Sequence, residues 1–438
     1  MSTVDFLRRH AIDTRPLRHP EYRRLFIGLS VSSFGLQFTA VAVPVQMFQL
    51  TRSSLWVGLL GVAGLVPLIV FALWGGAVAD TVDRRKLLLG ASLLMWSSTL
   101  VLFTVTALGL SSPILLLVLT AVQTTGFAIS APTRGAIIPR LVDRHEIPAA
   151  NALGTTAFNV SMTAGPLAAG LLVKDDLFAA AYAVDAIAFT VVLWATLRLP
   201  SLLPRPVEDA RAIAATEMSE AVAADGVTAV VAPPRTAGWR EVRAGLSYIA
   251  ATPVLWLSFA IDIAAMVLAM PRALFPEVAD ERYGPGSIGW LYAAIAIGSV
   301  LAGLTSGWIS RVHRQGLALV VSVVLWGLAV AAAGLASTLW LAVLFLAIGA
   351  ADLVSAVYRQ TILQTYAPDG FQGRLQGVFF AVVAGGPRLG DLRAGVSAAL
   401  VGSTVAWVGG GVAAAVVAAV LAVMFPALIR YTPPARNT

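Results

Sequence analysis

The chain has 438 residues, 58% of them apolar and only 12% charged, with a net charge of +7 and no cysteine. A water-solvated domain is about 25% charged, so this composition excludes a soluble globular protein and makes lipid the solvent for most of the chain. The missing thiols exclude disulfides, thiolate metal sites and a cysteine nucleophile.

Apolar stretches recur along the whole chain. Spans are expected at 22–50, 54–79, 87–109, 112–133, 149–173 and 178–199, then at 253–278, 286–310, 316–336, 338–362, 373–399 and 403–429. Each is continuously apolar and longer than the roughly 10 residues of a barrel strand, which points to helices. The fold class expected is therefore an all-α polytopic membrane protein with twelve transmembrane helices. Residues 1–21 form a polar, basic arm without the apolar core of a signal peptide. Residues 200–238 hold five prolines and scattered charge and read as a linker between a bundle at 22–199 and one at 239–429. The stretch 239–251 reads as an interfacial amphipathic helix, and 430–438 as a tail.

Charge placement gives an orientation. Twenty-four Lys and Arg fall in loops on the linker's side of the expected topology, including Arg134 and Arg359, and three (Arg52, Lys174, Arg282) fall on the other. By the positive-inside rule the linker and both termini are cytoplasmic, in a cell (inner or plasma) membrane. The same placement argues against nucleic acid as the reason for a pI near 10.1.

The halves echo each other. Gly76-Ala-Val-Ala-Asp80-Thr-Val-Asp83-Arg84-Arg85-Lys86 follows span two, and Gly303-Leu-Thr-Ser-Gly307-Trp-Ile-Ser-Arg311 follows span eight, 227 residues on. Gly165-Pro166 in span five is matched by Gly386-Pro387 in span eleven. A transporter built from repeats, with its site at their interface, fits this pattern.

GAVADTVDRRK resembles the loop signature of the major facilitator superfamily, and GPLAAG (165–170) is similar to that superfamily's antiporter motif. PTRGAIIPRLVDRHEIPAANAL (132–153), ALFPEVADERYGPGSIGWLYAAIAIGSVLAGLTSG (273–307) and QTILQTYAPDGFQGRLQGV (360–378) resemble the enterobactin-exporter and macrolide-multidrug branch. The resemblance implies two pseudo-symmetric six-helix bundles, efflux by alternating access, a gating role for Gly76, Asp80, Arg84 and Arg85, and a switching role for Gly165 and Pro166. Two departures stand out. Asp83 replaces the signature glycine, and Gln123 and Gly126 occupy the region where drug:proton antiporters carry an arginine.

Ionisable groups at membrane depth are costly and mark function. Asp185, Asp262, Asp352, Arg388 and Asp391 are candidates for proton or substrate coupling. Asp262 and Asp352 show no local partner, whereas Arg388 and Asp391, three apart on one helix, can pair. Gln46, Gln123 and Arg272 are candidate substrate contacts, although composition alone favours Arg272 snorkelling to headgroups. His10, His19, His145 and His313 are not spaced as a metal pair, and P-loop, His-Glu-x-x-His and Gly-x-Ser-x-Gly motifs are absent. No metal, cofactor or bond chemistry is expected. The expected function is secondary export of a small amphipathic or anionic molecule of the siderophore type by proton antiport, from a monomer whose partners are substrate, protons and lipids. A multidrug or macrolide pump, an uptake permease and a non-transporting scaffold are the alternatives.

Overall fold

The computed structural model describes residues 13–79, 82–203, 247–305, 309, 312–349, 353–366, 372–429 and 431. Asp80, Arg311, Asp352, the arm to residue 12, the linker from 204 on, the amphipathic helix up to 246 and the tail other than Tyr431 lie outside these residues.

The long helices are α1 Pro20–Thr51, α2 Ser54–Ala79, α3 Arg84–Ala107, α4 Pro113–Ile137, α5 Ile147–Val173 and α6 Phe178–Leu197, then α7 Pro253–Leu268, α8 Ile288–Leu304, α9 Gln315–Gly334, α10 Leu339–Gly349, α11 Leu353–Tyr366, α12 Gln372–Val401 and α13 Ser403–Met424. Their starts follow local chemistry. Pro20, Pro113 and Pro253 sit in first turns, where a missing N–H costs nothing. The side chains of Asp83 and Ser112 cap α3 and α4 by accepting from Arg85 N and Leu115 N. Eleven described segments are long and apolar enough to cross a membrane, with α10 and α11 falling in one of them. α12 is the twelfth long helix, and its 30 residues include Arg374, Arg388, Asp391 and Arg393.

In the first half α1 packs on α5 and α6, α2 on α4, and α3 on α4 and α6. In the second half α9 packs on α10 and α13, and α7 on α12 and α13. The halves meet through two equivalent pairs, α2 with α12 and α5 with α8. At the end far from the linker the two halves are in close contact. A Cβ on Gly170 would fall 2.8 Å from Gly289 Cα, so only glycine lets α5 and α8 approach this closely. Arg52 Nη1 reaches Asp280 Oδ2 at 2.7 Å, and Ser54 donates to Glu277, both across the interface. Toward the linker side nothing lies within 4 Å of a Cβ built on Gly154 of α5, and Leu304 at the end of α8 is 79% exposed. The contacts of Gly170 with Gly289, Arg52 with Asp280 and Ser54 with Glu277 thus hold the halves together at the end far from the linker.

Three expectations change. Span seven is not one helix to 278. α7 stops at Leu268, and a break at Ala269–Pro271 leads into the short helical turns Arg272–Leu274 and Phe275–Val278. Pro271 cannot donate to a continuing helix. Arg393 of α12 takes up the freed end of α7, donating to the carbonyls of Val267 (3.2 Å) and Leu268. Arg359 is no loop charge, because it sits inside α11 at 2% exposure, paired with Asp262 at 1%. Arg134 likewise lies on α4 rather than in the following loop.

Candidate functional site

The break after α7 turns Arg272 toward the interface between the halves. Its Nη2 lies 3.1 Å from Asp391 Oδ2 on α12. Asp391 therefore pairs across helices, not with Arg388 three residues away. Arg388 instead reaches out of its own half. Its Nη1 is 3.4 Å from Thr124 Oγ1 on α4, and it occupies the space that a side chain on Gly64 of α2 would fill. Tyr292 of α8 sets its hydroxyl 3.5 Å from the Arg272 carbonyl, with its ring edge-on to Phe275 at 5.1 Å. Arg272, Asp391, Arg388 and Tyr292 line a cavity of about 460 Å³ between the halves, with Pro387, Phe127 and Phe158 also in its wall. Two guanidinium groups face one carboxylate there, so the cavity has a net charge of +1. Its size and mixed lining suit a small organic ligand, since such pockets span roughly 300–1,000 Å³.

A second cavity of about 450 Å³ lies within the first half on the linker side, among α1, α3, α4, α5 and α6. Phe127 and Phe158 line both cavities.

Several candidate residues lie away from both cavities. Asp185 is fully buried on α6, where it accepts from Thr39 Oγ1 (2.5 Å) and Thr99 Oγ1 (3.3 Å). Gln123 donates to the same Thr99 at 3.2 Å, which makes it part of this network rather than a cavity contact. Gln46 is also not a cavity contact. It is buried between Tyr182, Thr106 and Ser111, accepting from the tyrosine hydroxyl at 2.7 Å and donating to the other two. Asp262, which has no partner nearby in sequence, pairs with Arg359 of another helix, whose guanidinium also stacks 5.4 Å over the Phe379 ring. The sequence separation of these partners hides them from a local reading.

Of the loop signature, Gly76 lies in the last turn of α2, and Asp80 is outside the described residues. The Arg85 guanidinium donates to Leu197 O at 2.7 Å, at the negative end of α6. Asp83, the departure from the signature, accepts from Ser201 Oγ (2.8 Å), Leu202 N (3.0 Å) and Arg85 N (2.9 Å). Burial pushes its carboxyl up, but these three donors outweigh that and hold it below its usual range. Asp83 thereby fixes residues 201–202, just before the linker, to the loop between α2 and α3. Gly165 packs against Gln37 of α1 and Gly386 against Met266 of α7, equivalent contacts in the two halves. α5 and α12 continue through Pro166 and Pro387. On the linker side His19 Nε2 meets Glu146 Oε2 at 2.8 Å, and with Asp143 these residues offer ligand atoms within 4.8 Å of one another.

Two membrane-embedded helical bundles related by a repeat, enclosing a charged cavity between them, define a transporter of the major facilitator type. The fold is similar to that of the nucleoside transporter NupG (TM-score 0.69, 14% identity, covering 94% of this chain and 100% of that one) and of the peptide transporter POT in complex with sulfate (TM-score 0.66, 15% identity, covering 94% and 96%). Within that class the chain belongs to the transmembrane secretion effector family, whose model matches residues 12–431. Curated relatives include the enterobactin exporter EntS of Shigella boydii serotype 18, 28% identical over 426 residues, and EntS of Escherichia coli O157:H7, 27% identical, each match covering 95% of both chains.

Proposed function

We propose that this transporter exports a small aromatic or amphipathic anion of the enterobactin type in exchange for protons. The observation that carries this reading is the cavity between the halves, where Arg272 and Arg388 face the single carboxylate of Asp391 among aromatic walls. An excess cation in a partly desolvated site favours an anionic cargo, and arginine's fork suits the oxygens of carboxylates and catecholates. The curated relatives named as enterobactin exporters support the same cargo class.

The linker side is the cytoplasm in this reading. With Arg134 and Arg359 removed from the linker-side count, twenty-two loop cations remain against three. The linker-side end, away from the contacts at Gly170 and Arg52, then faces the cytoplasm and receives cargo. The arriving anion binds between the guanidinium groups of Arg272 and Arg388 after Asp391 has released its proton to the cytoplasm. Rocking about the α2–α12 and α5–α8 contacts opens the Arg52–Asp280 end and closes the linker side. At the opened end the anion leaves, Asp391 takes up a proton from that side, and the return of the empty carrier delivers the proton to the cytoplasm, where its release re-forms the Arg272–Asp391 pair.

The test is a proteoliposome assay with an imposed pH gradient. Enterobactin moves against its gradient with the wild type and stays in place with Arg272→Gln. Movement of a neutral macrolide with equal efficiency, or no pH-driven movement of enterobactin, rejects the reading.

A further inference from the structure

The linker-side cavity is lined by an arginine, Arg134, that no carboxylate among the described residues neutralises. Arg134 Nη2 donates to Ser130 Oγ at 3.0 Å, Nε donates to Ser130 O at 3.3 Å, and the guanidinium lies 5.9 Å from the centre of the Phe127 ring. Among the described residues it makes no ion pair, whereas Arg272 and Arg359 each face an aspartate. A cation in a bundle interior normally finds such a partner. Here its surroundings are a cavity of about 450 Å³ whose wall combines Phe26, Phe158 and Phe189 with Ser30, Ser92 and Asn151. Aromatic faces, hydroxyl donors and one unneutralised guanidinium are the complement of an aromatic organic anion.

One helix connects the two cavities. On α4, Thr124 meets Arg388 of the central site, Phe127 lines both cavities, and Arg134 lines the linker-side one. At 1.5 Å of rise per residue, Thr124 and Arg134 are about 15 Å apart along the axis. α5 repeats the pattern, with Asn151 and Thr155 in the linker-side cavity and Phe158 in both.

We propose that the linker-side cavity is a second, separate binding site for an aromatic organic anion, anchored by Arg134 and joined to the central site past Phe127 and Phe158. The inference rests on the exporter reading for its direction, because it makes the cavity the first station on the way to Arg272 and Arg388. An anion held at Arg134 has a further pair of guanidinium groups about three turns deeper, so it steps between cations instead of crossing an apolar channel. Phe127 and Phe158 offer their rings to cargo in either cavity, which lets the step occur without full rehydration.

The experiment is calorimetric titration of the full-length protein in lipid nanodiscs with 2,3-dihydroxybenzoate, an aromatic anion. The wild type binds two equivalents. Arg134→Gln loses one of them, with its affinity reduced about tenfold or more, equivalent to about 1.4 kcal/mol, and Arg134→Lys recovers part of the loss. Arg272→Gln loses the other equivalent and keeps the one at Arg134. Asn151→Trp fills the linker-side cavity without removing a charge and reproduces the Arg134→Gln result, which guards against a folding defect in that variant. A single equivalent, lost in Arg272→Gln and kept in Arg134→Gln and Asn151→Trp, overturns the second site and leaves the exporter reading intact. Two equivalents together with no outward movement of enterobactin in proteoliposomes support the site and reject the exporter reading.

Discussion

Among the described residues each half sinks one carboxylate to 1% exposure or less, Asp185 in the first and Asp262 in the second, and the two are partnered in opposite ways. Asp185 in the first half touches the hydroxyls of Thr39 and Thr99. Asp262 in the second half touches a guanidinium that is itself buried and stacked on an aromatic ring. Hydroxyl partners leave the first half's interior without fixed opposite charges, and that half also encloses its own cavity. The ion pair commits α7 and α11 of the second half to one arrangement, because separating two buried charges is costly. The second half, which holds this ion pair, also carries the two arginines of the central site.

The largest expected effect tests that contrast directly. Asp262→Asn leaves Arg359 buried and uncompensated, so thermal unfolding in detergent should show a loss of about 3–5 kcal/mol. The double replacement Asp262→Leu with Arg359→Met should recover most of it. A single variant as stable as the wild type would remove the ion pair from any structural role.

Asp83 is next, and its effect depends on pH. Its carboxyl is held below the usual carboxylate range, so the anchoring of residues 201–202 is fully present above about pH 4. The anchor is lost as pH falls through the lowered folded value. Asp83→Ala should cost about 1–3 kcal/mol at pH 7, since it strands the buried Leu202 N–H. The difference between variant and wild type should shrink below pH 4. A constant difference across pH would show that the carboxylate charge is not what holds the loop.

Asp185→Asn is expected to cost less, about 1 kcal/mol or below, because an amide oxygen still accepts from Thr39 and no cation is stranded. A cost equal to that of Asp262→Asn would erase the distinction between the halves.

The same contrast explains what the sequence shows and what it hides. The apolar runs mark the helices because every backbone polar group in lipid must be satisfied within its own segment. Arg272, Arg388 and Asp391 stand out because charge is rare at that depth. Their partners do not stand out. Asp391 pairs with an arginine 119 residues away, and the break that aims Arg272 depends on Arg393 taking carbonyls of α7. Arg134 and Arg359 sit near expected span ends, where a hydropathy profile reads a loop cation and only packing reveals a cavity lining or a buried pair. Gln46 and Gln123 show the converse, as polar residues inside spans that are used up by internal hydrogen bonds.

The smallest expected effect lies where the halves touch. Arg52 and Asp280 are 65% and 50% exposed, so their pair contributes about 0.2–1 kcal/mol to the closed end. That is enough to change the ratio of the two transport states by about 1.4- to 5-fold, given tenfold per 1.4 kcal/mol. Arg52→Ala should therefore shift the population without abolishing transport, and raised salt should do the same to the wild type by screening. The chain has no cysteine, so spin labels at Phe158→Cys and Leu304→Cys report the α5–α8 separation without any background to remove. Arg52→Ala should increase the share of the short distance, in which the linker-side ends have closed. An unchanged distance distribution in both Arg52→Ala and high salt would mean that close helix packing at Gly170 and Gly289, and not the surface ion pair, sets the balance between the two states.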